Sequence, residues 1–166
     1  MVFVSVLALL PMSGAAPARQ IANYSLTGWR TLEMTPAAIV ATGGSPVVKS
    51  GDGKLRVSAE KVILRVTEGR TGRTVSATEA TGRVSLSLRQ GAKQKVDATC
   101  RSAVILPAED RALLKGDVKV TSRDPSGAME LASDAVTIYL KEQRIVATSS
   151  PKRSRLTSGW KPVEKP

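Results

Sequence analysis

The chain has 166 residues, 23% of them charged and 42% apolar, which accommodates one folded domain and leaves no room for a second. Twenty-five Lys and Arg against 14 Asp and Glu give a formal net charge of +11, so the partners expected of it are anionic. There is no His, which excludes His-dependent triads and His metal sites, and a single Cys, which excludes an intramolecular disulfide.

At the amino end an uncharged apolar run from Val2 to Leu10 breaks at Pro11 and passes into small residues. That is the shape of a signal peptide: the run is too short for a membrane-spanning helix, and Ala16-Pro17-Ala18 is an A-x-A cleavage site. Residues 1–18 are therefore expected to be removed, leaving a mature chain that starts near Arg19 and keeps the whole positive charge. A basic n-region is missing, so retention of the segment as an anchor is the alternative.

From residue 36 onward, short alternating runs are separated by Gly, Asp, Ser and Pro, the pattern of many short strands. Val84, Leu86 and Leu88 alternate with polar neighbours, as do Val118 and Val120, and Val136, Ile138 and Leu140. Each such strand has one wet face. Leu55, Val57 and Ala59 share one parity while Val62, Leu64 and Val66 take the other, which predicts a bulge or a corner near Glu60-Lys61. Polar turns are expected at Gly51-Asp52-Gly53, Gly91-Ala92-Lys93 and Asp124 to Gly127.

These strands repeat. Gly43, Gly82 and Gly116 are 39 and 34 residues apart, as are Ala59, Ala98 and Ala132, and as are Val47, Leu86 and Val120. Stacked units of this kind bury together a core that none of them buries alone. Arg144 to Ser149 begins one more unit. The basic, Pro-containing tail at 150–166 lacks periodicity and is expected to be disordered, with Trp160 unexplained; the repeat domain is thus placed at 36–149. Cys100 reads as a small strand residue.

The succession of Gly-x-Val-x-Val strands, Ala-marked strands and a return to Val-x-Ala-Thr, clearest in VDATCRSAVILPAEDRALLKGDVKVTSRD (residues 96–124), resembles the OstA-like, LptA-type family of periplasmic lipopolysaccharide-transport proteins. The resemblance implies an all-β, twisted, folded-over β-jellyroll, or β-taco, whose two sheets hold an apolar groove for acyl chains. It implies as partners lipopolysaccharide or a similar anionic glycolipid, and other proteins of the OstA-like fold joined through edge strands, with head-to-tail self-association. Burying an acyl chain is worth about 0.8 kcal/mol per methylene, which an aliphatic trough supplies. The groove candidates are Val57, Val62, Leu64, Val84, Leu86, Leu88, Val96, Val118, Val120, Val136 and Ile138. Lys49, Lys54, Arg65, Arg83 and Arg89 are the candidates for the anionic headgroup. The chain departs from the family in its long first unit, in Glu68 to Thr74 and in its basicity.

No G-x-S-x-G, Walker loop or dinucleotide fingerprint occurs, and the Glu109-Asp110 pair falls in a turn, so no enzyme role, cofactor or metal is assigned. A structural or adhesive β-repeat protein of the envelope, with a closed core, is the rival reading. Nucleic acid ranks below it, because one Phe, two Tyr and two Trp leave little stacking surface. A membrane-proximal acceptor role, in place of a bridge, accompanies the anchored alternative.

Overall fold

The computed structural model describes residues 19–21, 23–69, 72–91, 93–148 and 155–158. The expected signal segment and Trp160 lie outside them. Among these residues thirteen strands form one antiparallel sheet: β1 (Arg19–Ile21), β2 (Tyr24–Thr27), β3 (Thr31–Met34), β4 (Ala38–Thr42), β5 (Val47–Ser50), β6 (Leu55–Ser58), β7 (Lys61–Gly69), β8 (Gly72–Gln90), β9 (Gln94–Leu106), β10 (Arg111–Asp124), β11 (Gly127–Tyr139), β12 (Arg144–Thr148) and β13 (Arg155–Ser158). A single 3-10 turn, Pro107–Glu109, is the only helical element among the described residues, and no helix among them is long and apolar enough to cross a membrane.

The sheet is folded across its middle. β8 pairs through its first half with β7 and through its second half with β6, and β11 likewise pairs with β12 at one end and β13 at the other. Two leaves result. The first runs β3-β4-β7-β8-β9-β10-β11-β12, and the second runs β1-β2-β5-β6-β8-β9-β10-β11-β13, so the four long central strands β8 to β11 belong to both. The register shifts where they cross from one leaf to the other: between Thr81 and Val84 in β8, and between Lys115 and Val118 in β10. The phase slip expected at Glu60-Lys61 is a corner, with β6 ending at Ser58 and β7 starting at Lys61 against the unbroken β8.

Glycine makes the crease. Gly43, Gly82 and Gly116, the repeat landmarks, all sit on this line with φ of 68°, 100° and 80°. Each is overlaid by a side chain from the adjoining strand or loop. A Cβ on Gly82 would meet Glu60 Cβ at 2.6 Å, one on Gly116 would meet Arg101 Cβ at 2.9 Å, and one on Gly43 would meet Arg30 Cβ at 3.1 Å. The next residue then pairs with the overlying one: Arg83 Nε donates to Glu60 Oε1 at 2.9 Å, and Arg101 donates to Asp117 with the charges exchanged. These pairs are well exposed and contribute little stability themselves.

The other landmarks fare differently. Leu86 and Val120 are buried on one row, joined through Ala98, but the matching first-unit residue is Val48, not Val47. Gly43, Gly44 and Ser45 all take positive φ before Pro46, and the longer first crease slips the strand by one residue, which exchanges its faces. Ala59 adjoins the crease residue Glu60, whereas Ala98 lies three residues before Arg101, so equal spacing does not make them equivalent. The sheet also exceeds the 36–149 expectation at both ends. β1 to β3 precede it, and Arg155–Ser158, within the tail expected to be disordered, forms β13 against Ala132 to Met129, with Leu156 opposite Leu131. The open edge of β11 supplies the hydrogen bonds that composition does not reveal.

The inward faces of both leaves form one aliphatic core. One leaf contributes rows such as Ile39–Leu64–Thr78–Ile105–Ala112–Ile138, the other Leu26–Val48–Val57–Leu86–Ala98–Val120, all buried. Cys100 sits in this core beside the crease, its Sγ directed at the Ser102 carbonyl oxygen at 3.2 Å, and burial pushes its thiol up to about 11. A neutral small strand residue fits this position.

Replacing a crease glycine must therefore cost more than its backbone angle alone. Gly53, with φ of 68° and open space around its Cα, is the control: Gly53→Ala is expected to lose about 1 kcal/mol. Gly82→Ala and Gly116→Ala add a clash with a neighbouring Cβ and are expected to lose about 2–4 kcal/mol in urea denaturation. Equal losses at all three would refute a packed crease.

Candidate functional site at the mouth of the folded sheet

Opposite the crease, the leaf tips face each other. One leaf ends in the β9–β10 and β11–β12 connections around Pro107 to Asp110 and Leu140 to Gln143, the other in the turns at Gly51 to Gly53 and after Gln90. Between them opens a cleft of about 460 Å³. Leu55, Leu88 and Ile105, all members of the buried core, line it together with half-buried Tyr24 and Leu140, so it leads from solvent onto the aliphatic interior. Lys54, Arg89 and Lys141 stand at its rim with Asp52 and Asp110.

One side chain ties the leaves across this mouth. Gln90, 5% exposed, donates through Nε2 to the carbonyl oxygens of Tyr139 at 3.2 Å and Leu140 at 3.3 Å, 49 and 50 residues away in sequence. Its Oε1 is buried without a partner, which makes this an incompletely satisfied bridge. Deeper in, Thr78 is fully buried between Leu64 and Ile105, and its hydroxyl also has no partner. At the rim, hydrogen bonds from the Ser50 hydroxyl and the Lys54 backbone hold the Asp52 carboxyl below its usual range. Burial, and then the Asp52 charge, push the Tyr24 phenol up, so Tyr24 remains a neutral donor.

All eleven groove candidates face inward and are buried: Val57, Val62, Leu64, Val96 and Ile138 at 0%, the others at no more than 4%. Only Leu88 among them reaches the mouth cleft. Sequence reasoning missed Leu55, Ile105, Tyr24 and Leu140 there. Leu55 and Ile105 had the right alternation and were recoverable; Tyr24 and Gln90 were not, because their placement depends on which strand tips face each other. The five cationic candidates separate. Lys54 and Arg89 adjoin the cleft, and Lys49 lies on the same leaf nearby. Arg65 and Arg83 do not join them: Arg65 pairs with Glu79 at 2.8 Å on the other leaf, and Arg83 is held at the crease by Glu60.

Residues 78–155, the stretch from the interior of β8 to the start of β13, match the family model described as lipopolysaccharide-assembly, LptC-related. No curated protein matches the chain. Among solved structures, it is similar to LptH from Pseudomonas aeruginosa, the LptA-homologous periplasmic component of the lipopolysaccharide transport device. The two share 14% sequence identity with a TM-score of 0.65 over 84% of this chain and 95% of that one. The fold is thus that of an LptA-like β-jellyroll. The family match in β8 to β13 and the fold shared over most of its length thus make the chain similar to LptC-related and LptA-like proteins.

Proposed function

We propose that this chain is a periplasmic component of lipopolysaccharide transport, and that it shelters the acyl chains of the glycolipid between its two leaves. One observation carries the reading: two continuous aliphatic faces meet at a cleft that opens onto them, bridged mainly by one amide. A sealed sandwich gains nothing from an apolar entrance. Separating the leaves exposes aliphatic surface at roughly 25 cal/mol per Å², and an inserted chain restores that burial at about 0.8 kcal/mol per methylene. The partnerless Thr78 hydroxyl lies in the wall where a lipid ester or hydroxyl oxygen would satisfy it.

The ends support partners of the same fold. The large apolar side chains most exposed among the described residues are Met34, Val146 and Leu156, on β3, β12 and β13, strands at the two ends of the sheet. Edge strands with apolar side chains are normally liabilities. Addition of a strand from another OstA-like protein, or from a second copy head to tail, covers them.

A photo-activated residue placed at Leu86 or Ile138 is expected to form an adduct with purified lipopolysaccharide, while one at outward-facing Thr99 forms none. A folded protein that gives no adduct at either inward site would favour the closed-core structural reading. The amide bridge gives a second expectation. Gln90→Ala removes both cross-mouth bonds, so it should lower unfolding stability by about 1–2 kcal/mol and speed adduct formation at Leu86. Unchanged kinetics would mean that the lipid does not enter at this mouth.

A further inference from the structure

The outer face of the β2-β5-β6-β8-β9 leaf carries charges arranged against stability. Lys49 on β5 stands directly opposite Arg56 on β6, and Lys95 on β9 stands opposite Arg89 on β8 on one side and Arg123 on β10 on the other. All five are exposed. Like charges directly opposite on one face destabilise a sheet. Elsewhere the same protein pairs its cations with carboxylates, as in Arg65 with Glu79, Arg83 with Glu60, Arg101 with Asp117 and Arg144 with Glu142. Here Asp97 engages Lys95 at 2.9 Å, while Lys49, Arg56 and Arg89 make no ion pair among the described residues. The Asp97 carboxyl, which burial raises, is held below its usual range by hydrogen bonds from Lys95 and Ser87, reinforced by the charges of Lys95 and Arg123.

The face is also concave. Lys49, Lys54, Arg56, Arg89 and Lys95 line a hollow of about 600 Å³, and no carboxylate lines it. The hollow shares Tyr24, Lys54, Leu55 and Arg89 with the mouth cleft, so the two are continuous around the leaf tip. An anion attached to a chain inserted at the mouth lies over this surface.

We infer that this hollow holds the phosphorylated sugar headgroup of the lipid whose chains enter at the mouth, with Arg56, Arg89 and Lys49 as its phosphate contacts. The inference rests on the acyl-sheltering reading and adds to it a site for the charged end of the lipid. Guanidinium groups suit phosphate because they donate two parallel hydrogen bonds, and the Tyr24 phenol at the shared edge adds a neutral donor. Binding would relieve the like-charge repulsion that the empty face bears. Continuity with the apolar cleft favours a lipid headgroup over an acidic protein surface, which has no use for it.

The test uses the double variant Lys49→Gln/Arg56→Gln, which leaves the cleft rim and the inward residues intact. Binding is measured for purified bisphosphorylated lipid A and for its phosphatase-treated analogue with the same acyl chains, both in phosphatidylcholine vesicles. The expected result is a loss of roughly tenfold or more for the phosphorylated lipid and none for the analogue. The thermal midpoint should be unchanged or raised, because a repulsive pair is gone. Unchanged affinity for both lipids, or an equal loss for both, would overturn the headgroup site while leaving the acyl-sheltering reading standing. A wild-type protein that binds neither lipid would overturn both.

Discussion

The sheet folds along one line, and in β8, in β10 and in the loop before β5 what permits it is a backbone that turns to positive φ where a side chain from the adjoining strand or loop lies flat against it. Gly82 under Glu60 and Gly116 under Arg101 show the constraint most directly: φ favours glycine, and the close approach of a neighbouring Cβ enforces it. Without the crease the sheet would be open, with one long apolar face in water. With it, β8 to β11 each serve two leaves, and the inward rows of both leaves bury one another.

Function follows from what the fold leaves unfinished. The crease closes one side of the core, but the other side is only a set of turns, held near each other by Gln90 and indented by the cleft that reaches Leu88 and Ile105. Among the described residues the exposed large apolar side chains lie on β3, β12 and β13, toward the two ends of the sheet. The basic outer face is a third departure from a surface arranged for stability alone, since neutralising Arg56 or Lys49 would relieve a repulsion. An opening, two ends and a cationic hollow are the features a closed structural repeat does not need.

Much of this was legible in the sequence because the crease repeats. Gly43, Gly82 and Gly116 mark it, and the alternation of Val84, Leu86 and Leu88 gives the inward face without any structure. Position counting failed where one unit has an extra residue: Ser45 at positive φ shifts Val47 outward and brings Val48 into the row. Composition failed at Arg155–Ser158, because a short polar segment becomes a strand when an edge is available. The basic site was half legible. Lys49, Lys54 and Arg89 were recognisable as cations, but their union with Arg56 and Lys95, and the diversion of Arg65 and Arg83 into ion pairs, depend on cross-strand register.

The central claim is that the leaves part at the mouth to admit a lipid while the crease holds. Spin labels on cysteines introduced at Lys93 and Ala108, both exposed and on opposite leaf tips, report that separation directly, and Cys100, buried with its thiol pushed up to about 11, stays unlabelled at neutral pH. The account predicts that added lipopolysaccharide lengthens the distance between these labels, whereas a second pair flanking the crease, at exposed Thr81 and Thr99, keeps its distance. Lipid binding with no change at the mouth, or with an equal change at the crease, would contradict it.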